Sequence, residues 1–287
     1  MPQTAILCAI LAGVLAFLAP GVQRALQAVL KSRPQLAFAA PVSLTACFAA
    51  ASAAVGAFGV KLTLLVLIYT AAPTLLLYFQ GARADFLAIL LLWLPIEFGA
   101  GAALIPRAQQ GFLHNVAYGV AILLGLTLFL GFRRIGGMKY NLPRDRRDLW
   151  LPLVGFAISA PVLIVVGIAI GFIPPPHLPT QSAGKMAAAV GIIFAATALP
   201  EEILFRALIQ NLMMQRFGAS TRTLLLASFI FGCAHLDNGP QPTPNWRYMV
   251  VATIAGVAYG RVFQKSRSVA SSAALHTMVD WTKHFFF

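Results

Sequence analysis

Ten apolar stretches, at roughly 4–22, 36–58, 62–80, 86–105, 114–132, 150–173, 186–214, 223–236, 247–262 and 268–287, leave this chain little choice of fold. A helix needs about 20 mostly apolar residues to cross the hydrocarbon core of a bilayer, and most of these stretches reach that length. The eighth and tenth are short or polar, so the expectation is eight to ten spans. Only a helix satisfies its backbone hydrogen bonds within one segment at membrane depth. The expected fold is therefore all-α, a polytopic integral membrane helical bundle. Charge content agrees: 10% of residues are charged and 59% hydrophobic, against about 25% charged in soluble domains.

The net charge of +13 invites a nucleic-acid reading, and its distribution argues against one. With ten spans, one side receives only Lys61, Arg107, Lys185, Arg247 and Lys283. The other side receives most of the remaining Lys and Arg, including the cluster "FRRIGGMKYNLPRDRRDLW" (132–150). This is the positive-inside pattern, which makes the basic loops cytoplasmic and the lipid bilayer, not nucleic acid, their partner. The alanine-rich composition points to a bacterial chain and the cell (inner) membrane. The N-terminal stretch lacks the basic region of a signal peptide and reads as a retained first helix. Cys8, Cys47 and Cys233 fall in apolar runs without CxxC spacing and are expected to be small core residues. The loop at 133–149 divides N-terminal helices of unassigned role (1–149) from a segment (150–287) that holds almost all the chemistry. The proline-rich connections 173–184 and 236–246 are expected to be turns or short lids.

The acids are few enough to consider singly. Of eight, Asp85, Asp145, Asp148 and Asp237 fall in loops or at helix ends, which leaves Glu97, Glu201, Glu202 and Asp280 at membrane depth. A charge at the bilayer centre costs about 2.5–3.5 kcal/mol even on lenient insertion scales, so such residues face a cavity or a partner. His235 and His276 share that placement. Helical spacing assigns roles. In "EEILFR" (201–206), Glu202 and Arg206 share a face and can form an intramembrane ion pair, while Glu201 points about 100° away and stays free. In "FGCAH" (231–235), Phe231 flanks His235. In "HTMVD" (276–280), His276 and Asp280 make another polar face. Glu97, beside Pro95, is either a substrate-contacting or proton-handling acid lining the cavity or a carboxyl paired with a neighbouring helix.

These three patterns, in this order, resemble the type II CaaX prenyl protease group, also called the CPBP or Abi family of intramembrane proteases. Its signature is EExxxR, FxxxH and HxxxN or HxxxD, and the resemblance covers about residues 185–287. It implies an intramembrane endopeptidase in which Glu201 and His235 activate water while His276 and Asp280 stabilise the oxyanion or orient its donors. An ionised aspartate cannot donate to an oxyanion, so Asp280 is expected to orient His276 or to act protonated. The implied substrate is a membrane-anchored protein or peptide cleaved near its C-terminus. No cofactor is expected, because no HExxH spacing is present; Glu201, His235, His276 and Asp280 would be the ligands if zinc were bound. The alternative readings are a non-catalytic scaffold or immunity-type protein, and then a transporter, whose paired, interrupted repeats are not found.

Overall fold

The computed structural model describes residues 2–239 and 242–287. It is 80% helical and, among the described residues, has no strand. Five helices are long and apolar enough to cross a membrane, or six if the bent pair Pro2–Ala16 and Pro20–Ser32 counts as one span. The protein is thus a multi-pass helical membrane protein. The eight-to-ten estimate also counted shorter and more polar helices. All of these exist as helices, but they fail on length or apolarity taken alone.

The chain divides into two compact units, Met1–Gly136 and Gly137–Phe287. In the first, α1 (Pro2–Ala16), α3 (Ala39–Ala54), α4 (Val60–Gln80) and α6 (Arg107–Gly125) pack around Phe48, Leu62, Leu113 and Val116, while α2 (Pro20–Ser32) lies against Leu126–Phe132 and α5 (Asp85–Glu97) against α4 and α6. The apolar run Val60–Glu97 passes the length test as one element, yet Tyr69 donates to the Leu92 carbonyl at 2.6 Å. Residues 23 apart on one straight helix would lie about 35 Å apart, so the chain doubles back at Gly81–Ala84 and α4 and α5 form a hairpin. Arg133 grips Asp85 with two hydrogen bonds, 2.9 and 3.2 Å. A cavity of about 700 Å³ lies within this unit, lined by Leu65, Tyr69, Pro95, Gln110 and His114 among others. Cys8 and Cys47 are exposed on its surface rather than buried in a core; an apolar lipid environment accepts a thiol there as readily as a protein core does.

The second unit contains α7 (Arg146–Ala169), α8 (Ala183–Phe217), α9 (Thr221–Cys233), α10 (Trp246–Lys265) and α11 (Val269–Phe286). Its boundary falls twelve or so residues earlier than the sequence division at 149, because the loop after Gly137 is built into it. Lys139 donates to the carbonyls of Phe263 (2.6 Å), Gln264 (3.3 Å) and Ser266 (2.8 Å), at and just past the end of α10, where carbonyls lack intrahelical partners. Burial pushes the Lys139 ammonium below its ordinary pKa, and nearby Asp148 opposes that shift. Asp148, itself buried, accepts from the backbone N–H groups of Arg144 and Arg267 at 2.8 and 2.7 Å.

Helices α9 and α10 approach closely through small residues, as membrane helices do where apolar side chains gain nothing by leaving lipid. A Cβ at Gly232 would strike Thr253 and stand 2.6 Å from the Met249 carbonyl oxygen; one at Gly256 would stand 3.3 Å from Ser228 Cα. Gly232→Leu should therefore destabilise the unit by more than the ~1–3 kcal/mol of ordinary overpacking. Gly191→Ala, where an added Cβ meets nothing within 4 Å, should lose nothing. Thermal unfolding in detergent compares the two.

Candidate active site

Helix α8 brings the paired glutamates to the centre of the second unit in an unusual backbone. Pro200 has no N–H to donate, and its ring crowds the carbonyl four residues earlier. The helix responds with π-type turns on either side, Phe194–Ala198 and Ile203–Gln210. Such widened turns are rare and concentrate at functional sites. Glu201 and Glu202 lie in the four α-helical residues between them.

The two glutamates meet different surroundings. Glu202 and Arg206 are wholly buried, and Arg206 Nε lies 3.2 Å from Glu202 Oε2, one helical turn away. The guanidinium lies over the Phe231 ring, 4.7 Å from its centroid, and 5.9 Å from that of Tyr259. These aromatic faces are its remaining neighbours, because its two terminal nitrogens find no hydrogen-bond acceptor. Glu202 is engaged from a second helix too. Ser272 donates to its Oε2, and His276 Nδ1 stands 3.2 Å from its Oε1.

Glu201 keeps a partly open side chain, 21% exposed, and its Oε2 has no hydrogen-bond partner although that atom is buried. That oxygen faces two imidazoles, 4.0 Å from His235 Nε2 and 3.9 Å from His276 Nε2. His235 follows the end of α9 and its Nδ1 lies 2.8 Å from the Phe231 carbonyl. A carbonyl only accepts, so Nδ1 carries the proton and Nε2 presents a lone pair toward Glu201. Phe231 packs edge-on against the same ring at 4.7 Å. On α11, Asp280 Oδ2 lies 3.4 Å from His276 Nε2, and Tyr259 stacks on the His276 ring at 4.5 Å.

The structure thus brings Glu201, Glu202, Arg206, Phe231, His235, His276 and Asp280 into one cluster. Glu97 belongs to the first unit, where its carboxylate accepts a hydrogen bond from the Trp93 indole at 2.9 Å. Sequence reading missed Ser272, Tyr248, Tyr259 and Lys283. Ser272 was within reach of the argument, since it precedes His276 by four residues and so continues the polar face of α11. Tyr248 and Tyr259 had no such signal, being two of many aromatics in an apolar chain. Among the described residues, no group of three or more His, Cys, Asp and Glu side chains is arranged to hold a metal ion. Beside Asp280 a cavity of about 460 Å³ opens, bounded by Phe172, Thr197, Asn245, Tyr248 and Lys283.

An acid and two imidazoles thus converge among the helices of a multi-pass membrane protein. Residues 183–282 match the family model described as "Type II CAAX prenyl endopeptidase Rce1-like". The match encloses every member of the cluster and supports a CAAX-type intramembrane protease, whose substrate is a membrane-associated protein. No curated protein and no solved structure matches the chain.

The geometry makes the Glu202–Arg206 pair the scaffold of this site. Removing either partner strands a buried charge, at about 3–5 kcal/mol, so Glu202→Ala and Arg206→Ala should each lower the unfolding temperature sharply. Their double mutant should lose less than the sum of the two. A thermal unfolding cycle with additive losses would show that the two side chains do not interact.

Proposed function

We propose that the protein is a metal-free, glutamate-dependent intramembrane endopeptidase that hydrolyses a peptide bond near the C-terminus of a membrane-anchored protein or peptide. The observation that carries this reading is the 4.0 Å gap between Glu201 Oε2 and His235 Nε2. Two acceptors cannot hydrogen-bond one another, but a water about 2.8 Å from each donates one hydrogen to each and turns a lone pair toward the substrate. As the water oxygen bonds to the scissile carbonyl carbon, Glu201 takes its proton and the carbonyl π electrons move onto oxygen. When the tetrahedral intermediate collapses, the C–N bond breaks and the proton passes from the Glu201–His235 pair to the leaving amine.

In this reading His276, whose Nδ1 is engaged by Glu202, donates from Nε2 toward the oxyanion, the term on which amide hydrolysis depends most. Asp280, 3.4 Å from its ring, orients that imidazole. Glu202 is already engaged by Arg206, Ser272 and His276, which reserves proton transfer for Glu201. The inner membrane, with the basic loops in the cytoplasm, is the location that fits this substrate class and the charge pattern.

Glu201→Gln should lower cleavage of a membrane-anchored, S-prenylated CaaX peptide by at least about a hundredfold, the usual worth of a general base, with an unchanged melting temperature. Near-normal cleavage by the well-folded variant, read by mass spectrometry, would overturn the role of Glu201. Chelation should leave activity intact; activity that disappears with bound zinc and returns on its addition would establish the alternative. Asp280→Asn should retain most activity, because an amide oxygen still accepts from His276, whereas Asp280→Ala should lose it. A zinc ligand would instead be weakened by both changes, since a neutral amide is the poorer donor.

A further inference from the structure

Lys283 is a cation that the catalytic reading leaves without a task. It lies on α11 at positions i, i+4 and i+7 with His276 and Asp280, so the three share one face. Its ammonium sits 4.6 Å from the centre of the Phe172 ring and 4.5 Å from that of Tyr248. Aromatic faces steady a cation without neutralising it or using its N–H donors. Among the described residues no carboxylate lies within 4.0 Å of it, and Asp280, one turn earlier on the same face, acts on its charge only from a longer distance. An ionisable group kept in an apolar bundle at this cost faces a functional partner. The partner has room, because Lys283 and Asp280 both line the 460 Å³ cavity, whose other walls include Phe172, Ile173, Asn245 and Thr197.

We propose that Lys283 is a substrate-recognition residue that binds the free α-carboxylate at the C-terminus of the peptide being cleaved. The proposal rests on the protease reading for its substrate, and the spacing supports it. Seven residues of helix separate Lys283 from His276, a rise of about 10 Å, which an extended peptide covers in about three residues. A peptide that ends about three residues beyond a carbonyl held at His276 would therefore present its terminal carboxylate at Lys283. Asp280 stands between them but faces His276. The Lys283 ammonium offers the terminal carboxylate an opposite charge, which an amide or a continuing chain cannot match.

The test compares two fluorescent S-prenylated CaaX peptides, one ending in a free acid and one in a carboxamide, binding to full-length Glu201→Gln protein in nanodiscs. The free acid should bind about ten- to a hundredfold more tightly, the worth of a charged hydrogen bond. Lys283→Gln in that background should bring the acid down to the level of the amide, and Lys283→Arg should keep the preference. Equal binding of the two peptides before any change at Lys283 overturns the proposal, whatever the folding of the variants. Persistence of the preference in Lys283→Gln overturns it as well. Cleavage by the unmutated enzyme separates the two readings. Preferred binding of the acid without cleavage would uphold the carboxylate site and overturn the protease, while equal cleavage of both peptides would do the reverse.

Discussion

The ion pair between Glu202 and Arg206 is the constraint around which the second unit is arranged. Both side chains are wholly buried, and a buried charge is tolerable only with a partner. Meeting that demand draws in every helix around the pair. Helix α8 supplies both charges, α11 brings Ser272 and His276 to the carboxylate, and α9 and α10 bring Phe231 and Tyr259 to the guanidinium. The same Ser272 hydroxyl oxygen lies 3.1 Å from the Tyr259 carbonyl oxygen, so its single hydrogen is shared between α8 and α10. A set of helices that gains little from burying apolar surface out of lipid is thus given one specific arrangement.

The same arrangement divides two chemically identical neighbours. Glu202 spends its oxygens on structure, while Glu201, one residue earlier, is turned toward two imidazoles and keeps an oxygen free of protein donors. The π-type turns around Pro200 matter here, because they change the rotation between residues before and after the pair. His276 joins the two halves of the site. Its Nδ1 is held by Glu202 and its Nε2 faces Glu201 and Asp280. A fault in the ion pair would consequently be felt by the chemistry, through the ring it orients.

The two units differ in what they commit to. The second is crossed by polar contacts that fix side chains in place, from Lys139 capping α10 to Asp148 holding the turn before α11. The first is held by apolar packing around Phe48 and Leu113, with the Arg133–Asp85 pair as its main charged contact. The family match stops at residue 183 and leaves this first unit, with its 700 Å³ apolar cavity, outside the shared core.

By itself the sequence determined the fold class, because apolar runs of that length permit little but helices. It also determined which side chains share a helical face, so the Glu202–Arg206 and His276–Asp280 pairs and the freedom of Glu201 were legible from spacing. Helical periodicity says nothing about which faces of different helices meet. Only the tertiary structure decided that His276 bridges both glutamates, that Ser272 completes the shell of Glu202, that His235 turns Nε2 to Glu201, and that Lys283 stands between Phe172 and Tyr248. The hairpin at Gly81–Ala84 was divided correctly by its hydropathy, yet its antiparallel pairing needed the Tyr69–Leu92 contact. Distances between helices arise from close packing of residues far apart in the chain, and no local pattern encodes them.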